Sequence, residues 1–466
     1  MEILINVLSV FFVFFLIYTM IFIVQWIIGF CMSIYRMEEY RERKNIVKEV
    51  FDDKIAENLP VSILVPAYNE QACICDTIES LLEEDYPNLE IIVVDDGSTD
   101  HTIETVVGQY DMKEAKLVQR HYLKTQPVLS FYEKKISGKT LKFASKKNGG
   151  KSDALNCGLN ICTSPHCVIL DADTKVQKGS IRNMRIQFLI HKEMIVCAGV
   201  VGNGMYQNER YKSLLWAQKA LVLFQQLEYF RTFYMQRELF DRLNANVVVS
   251  GAFAMFDAEL LVEAGGYKRQ TIGEDMEITM RLHAFCKSQN RAYRIGYIPE
   301  VKCDTQVPFR YKDYYNQRRR WHIGMIQSLK EHQYMLGSVN YGYAGFVAST
   351  FIIFYELWSP IIEVIGVIVL LLSVATGILH TSFVIKLTLM YILLSAVTQA
   401  ILVNALNRYE VEHTSVMHRV RLFFISLMEI IVFHPLNILI KLNASITSGR
   451  HKKTWKHIER EDESKL

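Results

Sequence analysis

The stretch LEIIVVDDGSTD, Leu89–Asp100, contains the clearest structural signal in this chain of 466 residues. Its first half is a short apolar run rich in β-branched residues, which is typical of a strand buried on both faces of a sheet. An acidic turn ends the run. The stretches VSILVPAYNE, Val61–Glu70, and HCVILDADT, His166–Thr174, repeat this arrangement. Because segments with helical spacing separate these runs, the sequence predicts an α/β domain with a parallel sheet.

Three pairs of carboxylates fall at turns of this domain: Asp95 and Asp96, Asp171 and Asp173, Glu274 and Asp275. Parallel sheets bind ligands beyond the carboxyl ends of their strands. Two carboxylates one residue apart can share a hard divalent cation, which usually keeps several waters and also binds substrate phosphates. Any single pair is better explained as a solvated or capping turn. Three pairs along one domain favour a site for a metal and a nucleotide diphosphate.

The stretch NGGKSDALN, Asn148–Asn156, predicts a helix that begins directly after two glycines. Glycines allow the backbone to approach a ligand, the helix N-terminus favours anions, and Lys151 adds a point charge for phosphate. Taken alone, the stretch is explained equally well by an ordinary capped helix. The sequence has neither the spacing of a Walker loop nor a G-x-G-x-x-G after the first strand, so a nicotinamide dehydrogenase is disfavoured.

The stretch TIGEDMEITMRLHAF places Asp275 at the start of a predicted helix. The helix dipole stabilises a carboxylate there, which suits a general base that accepts a hydroxyl proton. A plain N-cap is the alternative interpretation, and the geometry allows both roles.

The N-terminal residues Ile3–Phe30 carry no charge and are long enough to span a bilayer. The run is too long for a cleaved signal, so we expect a retained anchor. Four basic residues follow it and predict an outside N-terminus and a cytoplasmic domain: Arg36, Arg41, Arg43 and Lys44. The nine cysteines form no C-x-x-C pair, which suits reduced thiols in the cytosol. A net charge of +3 gives little support to nucleic-acid binding.

After Tyr341 the chain is almost wholly apolar, in four blocks: Gly342–Tyr355, Pro360–Val374, Phe383–Leu406 and Leu422–Ile440. Four crossings would return the basic tail to the cytoplasm, but they would place Arg408, Arg419 and Arg421 outside. Two crossings would keep both basic stretches inside. The charge of the tail favours four by a narrow margin, and His434-Pro435 is expected to break the last block.

The stretch YYNQRRRWHIGM, Tyr314–Met325, precedes this apolar region, and a positive-inside flank would explain its arginines. A second explanation comes from the order of the motifs: VSILVPAYNE, VVDDGSTD, GGKSDALN, LDADT, VSGAF, GEDMEITMRL and QRRRW. In this order the chain resembles the membrane-embedded, processive family 2 glycosyltransferases, the group of cellulose, hyaluronan, poly-N-acetylglucosamine and nodulation chitooligosaccharide synthases. The resemblance covers about residues 60–330, and its set of D, DxD, ED and QxxRW motifs is specific as a combination.

The resemblance implies an α/β fold of the GT-A type, a nucleotide-diphospho-sugar transferase domain inserted between an N-terminal transmembrane helix and a C-terminal transmembrane region. The implied division of the chain is an anchor at 1–35, a cytoplasmic GT-A domain at 60–335, a multi-helix channel region at 342–441 and a basic cytoplasmic tail at 442–466.

The resemblance also implies roles for donor-binding residues. Asp95 and Asp96 match the turn that holds the uridine, and Lys151 matches the lysine near the diphosphate. Asp171 and Asp173 match the DxD that binds the sugar nucleotide and its Mg2+ or Mn2+.

The remaining matches concern catalysis and the acceptor. Asp275, with Glu274 beside it, matches the catalytic base that deprotonates the acceptor hydroxyl. Gln317, Arg320 and Trp321 match QxxRW, whose arginine meets the leaving diphosphate and whose tryptophan packs against the acceptor sugar.

The implied function is a processive, inverting transferase that polymerises a β-linked polysaccharide from a UDP-sugar and translocates it across the membrane. A glucan is the first expectation; a poly-N-acetylhexosamine synthase, a non-processive lipid-carrier glycosyltransferase and a nucleotide-sensing transporter or scaffold are the alternatives. Arg318 and Arg319 are assigned to lipid headgroups or helix packing.

The expected partners are the UDP-sugar donor, the growing polysaccharide, the lipid bilayer and an export or regulatory subunit, without nucleic acid. The expected location is the plasma membrane, with several crossings and a cytoplasmic catalytic domain.

Overall fold

The computed structural model describes residues 2–50, 59–204, 209–269, 271–409 and 412–448. Within these ranges, side chains are described except at 2–5, 40–50 and 209–210. The basic tail expected at 442–466 therefore lies outside the described residues from 449 onward.

The N-terminal helix α1 (Glu2–Val50) contains the uncharged run and continues beyond it. Its segment Asn6–Glu39 is long and apolar enough to cross a membrane. Arg36, part of the basic flank, is only 4% exposed and forms ion pairs with Glu238 at 3.2 Å and Asp241 at 3.1 Å. These buried pairs fix the end of the apolar segment to the α/β domain.

One sheet of ten strands organises the α/β domain. The strands are β1 (Val61–Ala67), β2 (Leu89–Asp95), β3 (Lys113–Glu114), β4 (Val128–Ile136), β5 (Lys139–Lys146), β6 (His166–Leu170), β7 (Thr174–Val176), β8 (Met194–Asn203), β9 (Phe253–Asp257) and β10 (Arg294–Thr305). Their order is β3-β4-β5-β2-β1-β6-β9-β8-β10-β7. The apolar runs of β1, β2 and β6 are buried along almost their whole length, which is why they show no alternation of polar and apolar residues.

The sheet is mixed, so the expectation of a parallel sheet is correct only in part. Strands β5, β2, β1 and β6 are parallel neighbours, whereas β9 runs antiparallel to both β6 and β8. Phe253, the first residue of β9, pairs with Leu170, the last residue of β6. Strand β9 therefore starts at the edge of the sheet where β6 ends, and it runs in the opposite direction. Between Tyr110 and Lys147 the chain forms the hairpin of β4 and β5.

The helices of the α/β domain carry their apolar sides toward this sheet or toward the helices that follow it. Their bounds are α2 (Ile74–Leu82), α3 (Thr102–Gln109), α4 (Lys151–Ile161), α5 (Ser180–Ile190), α6 (Glu209–Ser213), α7 (Trp216–Arg231), α8 (Arg237–Arg242), α9 (Ala258–Glu263), α10 (Glu274–Ser288) and α11 (Tyr311–Glu331). A π-helical turn, Thr232–Gln236, joins α7 to α8, so the aromatic stretch Trp216–Arg242 is helical throughout.

The C-terminal region consists of apolar helices packed on α1 and on the α/β domain. Its elements are short 3-10 and π segments at Gln333–Met335, Val339–Tyr341, Ala344–Ala348 and Ile352–Leu357, the helices α12 (Ser349–Phe351), α13 (Ser359–Ala375), α14 (Thr381–Arg408), α15 (Val416–Met428) and α16 (His434–Thr447), and a π segment at Glu429–Phe433. Thr381–Arg408 and Val416–Thr447 are each long and apolar enough to span a membrane. Ala344–Leu357 and Ser359–Ala375 pass the same test only together and are bent by 51°.

The narrow preference for four C-terminal crossings is wrong for the described residues, because the first two apolar blocks form this bent pair and not two spans. At 17 residues, α13 is about 25 Å long, shorter than the ~30 Å hydrocarbon core. The break expected at His434-Pro435 is also wrong. A π segment directly precedes α16, and Pro435 occupies the first turn of α16, where proline is tolerated.

Candidate functional site

Asp96, at the carboxyl edge of β2, holds the two-glycine loop in place. Its carboxylate accepts hydrogen bonds from the backbone N–H of Gly149 at 3.0 Å and of Gly150 at 2.6 Å, and it pairs with the buried ammonium of Lys146. Burial raises the pKa of Asp96 above its usual range, while Lys146 and the two N–H donors oppose that rise. Gly150 has φ +90°, a conformation that L side chains rarely adopt. These two N–H groups thus stabilise Asp96 and do not point freely at a ligand.

Asp95, the other half of this acidic turn, lies beneath the site. It is completely buried and accepts hydrogen bonds from Ser145 Oγ at 3.0 Å and from the backbone N–H of Ser98 at 3.2 Å. Asp96 borders the main cavity of the described chain, whereas Asp95 does not. Through these hydrogen bonds, Asp95 stabilises the conformation of the turn.

Lys151 connects two of the carboxylate pairs. At the first turn of α4, its Nζ lies 2.7 Å from Asp171 Oδ1 and 3.0 Å from Glu274 Oε1. Burial alone would lower the pKa of Lys151, but the two carboxylates outweigh it and raise the pKa. Asp171 and Glu274 lie about 20 and 120 positions from Lys151 in sequence. The edge of the sheet places both carboxylates against the one ammonium group.

Asp275 lies in the first turn of α10, next to this ion cluster. The N-cap of α10 is Gly273, so the interpretation of Asp275 as a plain N-cap is wrong. A Cβ at Gly251 would be 3.3 Å from Asp275 Cβ and 3.5 Å from Lys151 Nζ, so the absence of a side chain at Gly251 leaves room for both. Burial, and then the charge of Glu274, raise the pKa of Asp275, while Lys151 lowers it. Such a raised pKa suits a carboxylate that accepts a proton.

Asp171 and Asp173 are the residues that could hold a divalent cation. Asp173 is 9% exposed, and Thr174 Oγ1 and Thr305 Oγ1 each lie 3.4 Å from one of its carboxylate oxygens. Within the described ranges, no three His, Cys, Asp or Glu side chains form a group that could bind a metal by themselves. Two carboxylates suffice for Mg2+ or Mn2+ when substrate phosphates and waters complete the coordination, so the donor set fits a metal that arrives with a nucleotide.

The QRRRW motif lies on α11. Gln317, Arg320 and Trp321 border the same cavity as Lys151 and Asp275, and Trp321 is 44% exposed. Arg318 is buried, and Arg319 donates a hydrogen bond to Thr447 Oγ1 at 3.0 Å. The contacts of Arg318 with Glu228 and of Arg319 with Thr447 are helix-packing contacts, one of the two assignments expected for these arginines.

The cavity has a volume of about 1370 Å³ and reaches from the carboxylate cluster into the apolar helices. Its lining in those helices includes polar side chains: Gln25, Glu356, Glu363, Ser395, Glu429, His434, Asn437 and Lys441. Lys441 Nζ lies 2.7 Å from Glu356 Oε2, and His434 Nε2 lies 2.5 Å from Glu363 Oε2. Glu356 and Glu363 interrupt the apolar blocks of the sequence. Ionisable residues within apolar membrane segments often line a polar path through the membrane region, so their presence in these blocks is a sequence signal for this part of the cavity.

A mixed α/β sheet with a carboxylate and lysine cluster at its carboxyl edge, placed between apolar helices, fits the expected glycosyltransferase fold. The chain belongs to the family described as glycosyltransferase-like family 2, which matches residues 59–324. Residues 267–433 also match the chitin synthase family. The resemblance to family 2 and the expected α/β fold between terminal apolar helices are thereby confirmed.

Curated relatives include poly-beta-1,6-N-acetyl-D-glucosamine synthases from two species. The Staphylococcus epidermidis protein is 27% identical over 311 residues, which is 67% of this chain and 64% of that protein. A Staphylococcus aureus protein is 27% identical over 314 residues, covering 67% of this chain and 65% of the relative. The match thus spans somewhat less than two thirds of the length of each relative.

Two solved structures match this chain at low sequence identity. The mannosyltransferase PcManGT from Pyrobaculum calidifontis, in complex with GDP-Man and Mn2+, is 17% identical with a TM-score of 0.49, covering 91% of this chain and 99% of its own. The S. aureus TarS fragment 1-349, in complex with UDP-GlcNAc, is 14% identical with a TM-score of 0.38, covering 84% and 92%.

Proposed function

We propose that this chain is a processive, inverting glycosyltransferase that polymerises N-acetylglucosamine from UDP-N-acetylglucosamine and passes the polymer through its own membrane region. The observation that carries this proposal is the cavity that joins Lys151 and Asp275 to polar side chains of the apolar helices. A transferase that modifies only a small acceptor has no need for a polar path of that length. A polymer that leaves across the membrane does.

The choice of N-acetylglucosamine over glucose rests on the relatives. The proteins at 27% identity are named as poly-beta-1,6-N-acetyl-D-glucosamine synthases, and the second family match is to chitin synthase, whose product is also a polymer of N-acetylglucosamine. The glucan that the sequence first suggested has no comparable support. The hexosamine alternative is therefore the better proposal.

In the proposed reaction, the carboxylate of Asp275 accepts the proton of the acceptor hydroxyl. The hydroxyl oxygen then bonds to the anomeric carbon of the donor, the bond from that carbon to the diphosphate breaks, and UDP departs with the electron pair. Attack from the face opposite the leaving group inverts the anomeric configuration. The raised pKa of Asp275 makes its carboxylate a stronger base than an ordinary aspartate, which favours the proton transfer.

The leaving diphosphate carries developing negative charge, and the cationic residues around it stabilise that charge. Lys151 and Arg320 both border the cavity, and their positive charges suit a diphosphate placed between the sheet edge and α11. Asp171 and Asp173 would hold a divalent cation, which supplies further charge neutralisation for the diphosphate when it is bound. Asp96 and Asp95 support this region from the side of the nucleoside.

Trp321 would bind the acceptor end of the polymer. Its ring is exposed to the cavity, and an aromatic face gives a flat apolar platform that holds successive sugars without locking any of them in place. In the proposed topology the apolar helices lie in the plasma membrane and the α/β domain lies in the cytoplasm, where UDP-sugars are made.

The test uses the purified full chain in lipid nanodiscs with Mn2+ and, in parallel reactions, radiolabelled UDP-N-acetylglucosamine and UDP-glucose. We expect UDP release and a high-mass product from UDP-N-acetylglucosamine, and digestion of that product by a β-1,6-N-acetylglucosaminidase would identify the linkage named for the relatives at 27% identity. The Asp275→Asn variant is the inactive control. A polymer formed from UDP-glucose alone would contradict the proposed donor.

Two other outcomes would favour the remaining alternatives. UDP release without any long product would favour a lipid-carrier glycosyltransferase. A protein that binds UDP but releases none from either donor would favour a nucleotide-sensing scaffold.

A further inference from the structure

Trp321 packs against a buried cation on its own helix. The guanidinium of Arg318 lies over the Trp321 ring at 4.4 Å from its centroid, and over the Tyr314 ring at 4.9 Å. Both distances fall within the range in which a guanidinium is attracted to an aromatic face. One face of the exposed tryptophan ring of the motif is thus covered by the Arg318 guanidinium.

Arg318 is itself fixed by a carboxylate on another helix. Its Nη1 donates a hydrogen bond to Glu228 Oε1 on α7 at 2.7 Å, and Arg318 is only 8% exposed. Its Nε and Nη2 atoms are buried and have no hydrogen-bond acceptor among the described residues. The two aromatic faces and Glu228 therefore determine the orientation of the guanidinium.

The second ring of this arrangement connects it to the helices of the membrane region. Tyr314 is 1% exposed, and its hydroxyl donates a hydrogen bond to Asn437 Oδ1 on α16 at 2.6 Å. Asn437 borders the cavity, as do Arg318 and Glu228. A continuous chain of contacts thus runs from Trp321 through Arg318 and Tyr314 to the wall of the cavity.

We propose that Arg318 is a positioning residue that fixes the ring of Trp321 at the acceptor subsite and couples it to α16. The polymer must return to the same register after every sugar is added, so a platform that rotates would lose its hold on the chain end. The proposal rests on the proposed polymerase function for its effect on product length, but the arrangement of the side chains stands independently of that function.

Arg318→Lys is the informative variant, because lysine keeps the positive charge opposite Glu228 but lacks the planar group that stacks on a ring. Arg319→Lys is the matched control, since Arg319 is the adjacent arginine and bonds Thr447 and not an aromatic face. Both variants are prepared as full chains in nanodiscs and checked for monodispersity.

The first readout compares two quantities in each variant: the length of the polymer made from UDP-N-acetylglucosamine and the rate of UDP release. We expect Arg318→Lys to shorten the product by about tenfold, a much larger effect than on UDP release, because misplacement of a substrate platform acts on retention of the chain end. Arg319→Lys should match the wild type. A product of wild-type length from Arg318→Lys would overturn the proposal.

The second readout is acrylamide quenching of Trp321 fluorescence, obtained as the difference between each protein and the same protein carrying Trp321→Phe. Arg318→Lys should increase this quenching, whereas Arg319→Lys should not. Unchanged quenching in Arg318→Lys would also overturn the proposal. If the wild type makes no polymer, the proposed function fails while the quenching result still decides whether Arg318 positions Trp321.

Discussion

Gly273 and Gly324 pack backbone against backbone. A Cβ at Gly324 would lie 2.8 Å from Gly273 Cα, and a Cβ at Gly273 would lie 2.9 Å from Gly324 Cα. Ser328 Oγ adds a hydrogen bond to the Gly273 carbonyl at 3.2 Å. Gly273 is the N-cap of α10, two residues before Asp275, and Gly324 lies three residues after Trp321 on α11. This contact makes the proposed base and the proposed acceptor platform parts of one rigid unit.

Gly324→Ala should separate these two helices and impair both stability and turnover. The added methyl group meets backbone atoms that cannot rotate away, so we expect a loss of about 1–3 kcal/mol in the free energy of unfolding and a marked fall in UDP release. Thermal unfolding and a UDP-release assay measure the two effects. Gly108→Ala is the control, because a Cβ there meets nothing within 4 Å in α3 and should slightly stabilise the helix. Equal behaviour of the two variants would refute the close contact.

Asp275→Asn should abolish transfer and leave nucleotide affinity nearly intact. The amide keeps the size of the side chain but cannot accept the proton, so a fall in kcat of about 10²–10⁴-fold is expected for loss of a general base. UDP release gives kcat, and calorimetric titration with UDP gives the affinity. Glu263→Gln, at an exposed ion pair with Arg291, serves as a control for loss of a carboxylate elsewhere. Parallel losses of turnover and UDP affinity would argue against the assignment of Asp275 as the base.

The acid limb of the pH profile should respond in opposite directions to two neighbouring substitutions. The base must be ionised, so activity rises with pH through the pKa of Asp275, which burial and Glu274 raise and Lys151 lowers. Lys151→Gln removes the lowering charge and should move the acid limb of kcat/KM to higher pH. Glu274→Gln removes a raising charge and should move it to lower pH. Shifts of the same sign in both variants would exclude Asp275 as the group that titrates.

Chelation should stop the reaction, and Asp173→Asn should raise the metal concentration that restores it. With one of two carboxylate ligands lost, we expect the Mn2+ concentration for half-maximal UDP release to increase by about tenfold. Asp111→Asn is the matched control, because Asp111 is exposed and pairs only with Lys134 in the described contacts. Full activity of the wild type in excess chelator would contradict a metal at Asp171 and Asp173.

The fold was largely predictable because its signals are local. The apolar runs of β1, β2 and β6 and the acidic turns after them follow directly from strand and turn chemistry. The direction of β9 was not predictable, since it depends on where the connection after β8 leads and not on the residues of β9 itself.

The site was predictable as a set of residues but not as an arrangement. The order of the motifs predicts Lys151, Asp171 and Asp275 as site residues. The position of Lys151 between Asp171 and Glu274 depends on the tertiary structure and cannot be predicted from motif order. Asp95 and Asp96 are adjacent in sequence, but only the packing of the Gly149–Gly150 loop decides which of them borders the cavity. The polar lining of the apolar helices depends on tertiary structure, since Glu356 and Glu363 meet Lys441 and His434 only in the folded chain.

Vectorial synthesis in sealed proteoliposomes tests the joining of synthesis and export most directly. Radiolabelled UDP-N-acetylglucosamine and Mn2+ are added outside, where they reach only molecules whose α/β domain faces outward, followed by a β-1,6-N-acetylglucosaminidase. We predict a polymer that resists the added enzyme until detergent opens the vesicles. A polymer that is fully digested before detergent is added would contradict passage through the membrane region of this chain.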